Sequence, residues 1–151
     1  ETPFVSDYGG DWVAKTYRNR VDGTLHMALQ KGRTVPGQAT LVRMHTMSLY
    51  SDVFGAPGPR KRVLQRAMEE VGKNGSGVIV ILMASNEDEL LTALVGKPKT
   101  GPELRAYGIG AQILADLGVH DMELLTLAHR NIVAIEGYGL NVVGERMIPE
   151  T

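Results

Sequence analysis

The stretch LRAYGIGAQILADLGVHDMELLT, Leu104 to Thr126, decides how this chain is read. Gly118 in this stretch is a natural helix stop. Thr100-Gly-Pro-Glu103 just upstream has the form of a capping box, which places the helix start there and runs it to about Leu117. Met122 to Thr126 then reads as a strand. Gly108-Ile-Gly110 falls inside the helix rather than between strand and helix, so it is no dinucleotide fingerprint. Its glycines predict tight helix packing instead, and Tyr107 and Tyr138 are expected to pack or hydrogen-bond in the core.

Working outward, strands alternate with helices. Val78 to Met83 (VIVILM) is short, continuous and β-branched, the pattern of a strand buried on both faces. A helix is predicted from about Arg60 to Val71, because Val63, Leu64, Ala67, Met68 and Val71 form one apolar stripe. Pro59 suits its first turn and Gly72 its end. Asn86 followed by three acids predicts a capped helix that Gly96 closes. Residues 128–136 suggest a short helix, and residues 140–146 a last strand. Nearer the start, strands are expected at 11–18, 25–30 and 39–45, with Val21-Asp-Gly-Thr24 as a hairpin turn. The expected fold class is α/β, a layered sandwich with a mixed sheet, because the early hairpin rules out a purely parallel one.

The 151 residues fit a single domain, 1–151, with a real core. Charged residues are 22% and the net charge is −1, so no global field draws the chain to nucleic acid or a membrane. No apolar run is long enough to span a bilayer, and no signal sequence opens the chain. Cysteine is absent, which excludes disulfides and thiolate metal sites and fits a cytoplasmic protein. The first residue is Glu1 rather than Met, so a domain cut from a longer polypeptide is expected.

The Leu104–Thr126 stretch, together with Ile135-Glu-Gly-Tyr-Gly-Leu140, resembles the GTP cyclohydrolase II family of riboflavin biosynthesis. Tyr8-Gly9, Val21-Asp-Gly-Thr-Leu-His26-Met-Ala-Leu29, Leu41-Val-Arg43-Met-His45-Thr-Met-Ser48 and Val53-Phe54-Gly55 extend the likeness over nearly the whole chain. The resemblance implies that fold. It implies a GTP pocket lined by the segment Arg43 to Met47, with Arg43, His45, Arg105 and Thr126 as ligand-binding residues. It places the family's catalytic aspartate on Glu103 and its catalytic arginine on Arg105. It further implies a homodimer and a fused or associated 3,4-dihydroxy-2-butanone 4-phosphate synthase domain.

The sequence departs from the pattern where the family's chemistry sits. The family holds a catalytic zinc with three cysteines; here the first is Ser48, and the other two fall on or near Pro59, Arg60 and Lys61. The family glutamate becomes Met47. The glycine-rich phosphate segment is replaced by Ala84-Ser-Asn-Glu-Asp-Glu-Leu90, and the lysine after Thr126 becomes Asn131. Opening a guanine ring at neutral pH needs a metal-activated water. Serine, proline and lysine supply no thiolate, and a cation repels a metal ion. Three adjacent acids repel a triphosphate. No zinc is therefore expected.

Other residues invite weaker readings. His26, His45, His120 and His129 have no metal-binding spacing. Ser48, His45 and Asp52 could be imagined as a triad, but no nucleophile elbow surrounds Ser48. Glu103 is more simply a capping partner of Thr100 than a base. Arg60-Lys61-Arg62 places three cations at a helix start against its dipole, which suggests a phosphate or an acidic partner surface there. Three roles follow: a degenerate domain with a structural, regulatory or dimerisation task; an active cyclohydrolase or hydrolase with a rebuilt site; or a sensor with residual binding of GTP or another phosphate metabolite.

Overall fold

The computed structural model describes residues 1–58, 61–83, 102–127 and 139–149, with side chains from residue 108 onward in the third stretch. The predicted helices at 86–95 and 128–136, the Ala84–Leu90 replacement, Arg60, the Thr100 cap, His129, Asn131 and Tyr138 lie outside these residues.

Among the described residues seven strands form one mixed sheet: β1 (Thr2–Ser6), β2 (Gly10–Arg18), β3 (Leu25–Lys31), β4 (Thr40–Thr46), β5 (Gly77–Leu82), β6 (Asp121–Thr126) and β7 (Asn141–Met147). Their order is β1-β2-β3-β5-β4-β6-β7. The first three pair antiparallel and β3 pairs antiparallel with β5. From β5 through β4 and β6 to β7 the pairing is parallel. The hairpin therefore supplies the antiparallel half, and β5, β4, β6 and β7 supply the parallel half.

Helix α1 (Val63–Asn74) lies on one face of the sheet and α2 (Pro102–Asp116) on the other. Strand β5 shows why. Val78, Val80 and Leu82 join a core with Ala111, Ile113 and Leu114 of α2. Ile79 and Ile81 join a second core with Val63, Ala67, Met68 and Val71 of α1. Every residue of β5 is buried, as its unbroken apolar run requires in a three-layer sandwich. Full burial of one such aliphatic side chain stabilises by about 1.5–3 kcal/mol. Trp12 closes the α1 core near β1, its indole N–H donating to the Tyr8 carbonyl at 2.9 Å.

Strands β2 to β7 fall within a residue or so of their expected limits, and the 21–24 turn forms as read, with Gly23 at φ 75°. Three features differ. The chain begins with strand β1, whose short, proline-bearing sequence carries no clear alternation. A single π-helical turn, Leu49–Val53, follows β4. Helix α1 starts and ends three residues later than expected. Arg62 adopts a left-handed conformation (φ 61°), so helical geometry begins only at Val63. Gly72 does not end the helix. It lies inside it, where a Cβ would meet the Cα of Gly9 at 2.7 Å, and Gly75 (φ 86°) supplies the left-handed cap.

Candidate functional site

The parallel strands direct attention to one end of the sheet. The connection from β4 runs through α1 on one face, while the connection from the adjacent β5 leads to α2 on the other. At such a divergence open α/β sheets commonly bind ligands, at the C-terminal ends of the two strands. His45 and Thr46 end β4, Leu82 ends β5 and Thr126 ends β6.

Alternation along β4 puts Leu41, Arg43 and His45 on the α1 side. His45 is completely buried, and its Nε2 lies 2.8 Å from Oδ2 of Asp52 in the π-helical turn. That oxygen also accepts the backbone N–H of Ser48 at 2.8 Å. Ser48 caps the turn, its hydroxyl accepting the Ser51 N–H at 3.4 Å. Gln65 of α1 donates to the Asp52 carbonyl at 3.4 Å. Arg43 is 9% exposed and donates through Nη1 to the Leu125 carbonyl of β6 at 3.3 Å. The cluster thus joins β4, β6, α1 and the turn between them by hydrogen bonds to a histidine, a carboxylate and a guanidinium.

The other predicted residues sit elsewhere. Thr126 is buried at the end of β6, but alternation with Met122 and Leu124 puts it on the α2 side. Its hydroxyl faces Met147 Sδ at 3.8 Å. Glu103 and Arg105 occupy the first turn of α2, with side chains outside the described residues. Two turns further along, Gly110 packs directly on Met44 and near Leu82, at the ends of β4 and β5. The predicted ligand set therefore divides: Arg43 and His45 on one face, Thr126 and the helix bearing Glu103 and Arg105 on the other.

The imagined triad does not have triad geometry. His45 is paired with Asp52, while the Ser48 hydroxyl is spent on capping. Of the basic cluster, Lys61 and Arg62 are exposed and precede the helix rather than opening it. Arg62 Nη2 lies 3.5 Å from Glu69 Oε1, an exposed pair of the kind that contributes about 0–1 kcal/mol. Arg62 sits at the cap, still at the positive end of the helix dipole, and its head reaches Glu69 two turns along the helix, which offsets part of that conflict. Arg66 instead binds backbone, donating to the carbonyls of Lys61, Arg62 and Pro149.

Among the described residues no three metal-binding side chains cluster. A groove of about 580 Å³ runs along β1 and β2, lined by Phe4, Trp12, Lys15 and Arg33 among others. It carries none of the residues named above as candidates. Sequence reading grouped Asp52 with His45 only inside a triad that it set aside, and the role of Gln65 was missed. The seven-residue separation of His45 and Asp52 belongs to no regular element, so periodicity gives no hint of it.

A family model described as GTP cyclohydrolase II matches residues 1–147. The riboflavin biosynthesis protein RibBA of Aquifex aeolicus is 37% identical over 152 residues, covering 89% of this chain and 37% of its own. The 3,4-dihydroxy-2-butanone 4-phosphate synthase of Pseudomonas aeruginosa is 36% identical over 151 residues, covering 95% of this chain and 41% of its own. The monofunctional riboflavin biosynthesis protein RIBA 2, chloroplastic, of Arabidopsis thaliana is 35% identical over 149 residues, covering 90% and 31%. The chain spans roughly two fifths or less of the length of these curated relatives.

Proposed function

The chain belongs to the GTP cyclohydrolase II family, and from that premise we propose that it is a domain of riboflavin biosynthesis that has given up purine ring opening. Its task is structural, regulatory or dimer-forming, beside a 3,4-dihydroxy-2-butanone 4-phosphate synthase domain in the cytoplasm. The observation that carries this reading is the use made of Ser48. The resemblance puts a zinc thiolate at this position, and here it is a hydroxyl that caps the π-helical turn. A neutral hydroxyl is a poor zinc donor, Lys61 brings a cation to the same ligand set, and the chain contains no cysteine. The residues present do not fit the metal.

The relatives support the same direction. A protein named for the synthase alone and another named monofunctional both align with nine tenths or more of this chain. A domain of this family is thus carried by proteins whose names do not claim both activities. The surviving His45–Asp52 pair fits a scaffold role, since both groups are turned inward on each other.

A test compares the synthase activity of the whole protein with and without this domain, together with its oligomeric state. Loss of activity or of assembly on removing the domain supports the proposal. A synthase indifferent to the domain in both respects contradicts it.

A further inference from the structure

His26 stands near the start of β3, only 4% exposed, on the α2 side of the sheet with Ala28. Its Nδ1 accepts the backbone N–H of Met83 at 3.0 Å. The β3–β5 ladder stops at the pair Met27 and Ile81, and Met83 is the first residue beyond β5. The imidazole therefore stands in for a backbone carbonyl where the ladder runs out. An accepting Nδ1 fixes the proton of the neutral ring on Nε2, which is buried without a hydrogen-bond partner among the described residues.

This contact leads to the candidate site. The Leu82 carbonyl, in the same peptide as the Met83 N–H, accepts the Met47 N–H at 2.9 Å. Met47 precedes Ser48, the cap of the turn that holds Asp52 against His45. Hydrogen bonds thus run from His26 through the last peptide of β5 to the turn.

A neutral imidazole accepts at one nitrogen; an imidazolium carries N–H on both and accepts at neither. Protonation would set two donors, Nδ1–H and the Met83 N–H, against each other. Among the described residues the titratable groups around the ring are few. Tyr17 of β2 stands opposite His26, and its hydroxyl donates to Asp116 at the end of α2. Asp22 lies in the β2–β3 turn, its carboxylate bonded to the Thr24 N–H. Strand β5 offers only apolar side chains. Burial holds the His26 imidazole below the ordinary histidine range, and the Asp22 charge opposes this as the smaller effect.

We propose that His26 is a pH-sensitive pin. Neutral, it fastens the end of β5 to β3 and steadies the turn that carries Asp52; protonated, it lets both loosen. The direction follows from linkage. An unfolded histidine titrates near about 6.5, and this one titrates lower when folded. Below about 6.5 the unfolded state therefore binds more protons, and the pin's stabilisation, complete above that value, is lost as pH falls.

Amide hydrogen exchange read by NMR between about pH 7.5 and pH 5 tests this, after correction for intrinsic exchange. Protection of Met83 is expected to fall about tenfold further than that of Val80 within β5, with Ser48 following Met83. In His26→Asn, Oδ1 takes the place of Nδ1, and Met83 protection is expected to stay level with pH. Met83 tracking Val80 throughout in the unaltered protein overturns the proposal. So does a His26→Asn variant with the same acid loss. Should that variant fail to fold, the ring nitrogens of His26 decide: a proton on Nδ1 of the neutral ring contradicts the pin, and one on Nε2 supports it.

Discussion

The Nε2 of His45 lies 2.8 Å from Oδ2 of Asp52, and the two side chains are 0% and 2% exposed. The same carboxylate oxygen takes the Ser48 N–H, so one atom ties a strand end to the turn that follows it. Sealed from water, each partner is costly to leave alone. Asp52→Ala is expected to destabilise the fold by about 2–6 kcal/mol, because it leaves two buried donors, the His45 ring N–H and the Ser48 N–H, without an acceptor. Asp52→Asn, which still accepts from the ring, should cost less. Urea melts of the two variants check this, and an Asp52→Ala variant within about 1 kcal/mol of the parent refutes the brace.

Two helical glycines should respond differently to alanine. Helix propensity alone favours alanine by up to about 1 kcal/mol. At Gly72 the new Cβ meets the backbone of Gly9, which cannot swing aside. At Gly110 it meets the far end of the flexible Met44 side chain. Gly72→Ala is therefore expected to lose about 1–3 kcal/mol, and Gly110→Ala distinctly less. Equal melting temperatures for the two variants would show that the α1–Gly9 contact is not tight.

Tyr17 donates its hydroxyl to Asp116 at 2.9 Å, tying β2 to the end of α2. Partial burial first, and then the Asp116 carboxylate, push its phenol well above the ordinary tyrosine range. Its contribution is complete below the unfolded value of about 10 and is lost as pH rises past it. Tyr17→Phe should thus cost about 0.5–1.5 kcal/mol near neutral pH. The gap between variant and parent should narrow above about pH 10. Denaturant melts at neutral and alkaline pH test this, and a gap that widens with alkali rules it out.

Most of the framework is legible in the residues. The unbroken VIVIL run of β5 announces a strand covered on both sides, and the apolar stripe from Val63 to Val71 names the face of α1. The ends of that helix were misread because Arg62 takes a left-handed conformation and Gly72 makes a tertiary contact with Gly9, and neither leaves a local signal. Strand β1 escaped because an edge strand with five residues and a proline has little alternation to detect. The site was legible only as a set of residue types. Arg43 and His45 do share a face with each other, as period two requires. Thr126 differs in face because β6 has its own phase, which a reading of each strand in isolation does not relate to that of β4. Asp52 became the partner of His45 through a π-helical turn that no spacing rule anticipates.

The central claim is that this scaffold lacks the donors its family uses to hold zinc and therefore does not open a purine ring. Incubating the whole protein with GTP and added zinc, and following loss of the guanine absorbance with and without a chelator, tests it most directly. No ring opening and no stoichiometric zinc after dialysis are expected. Steady turnover of GTP that the chelator abolishes, with one zinc retained per chain, would contradict it.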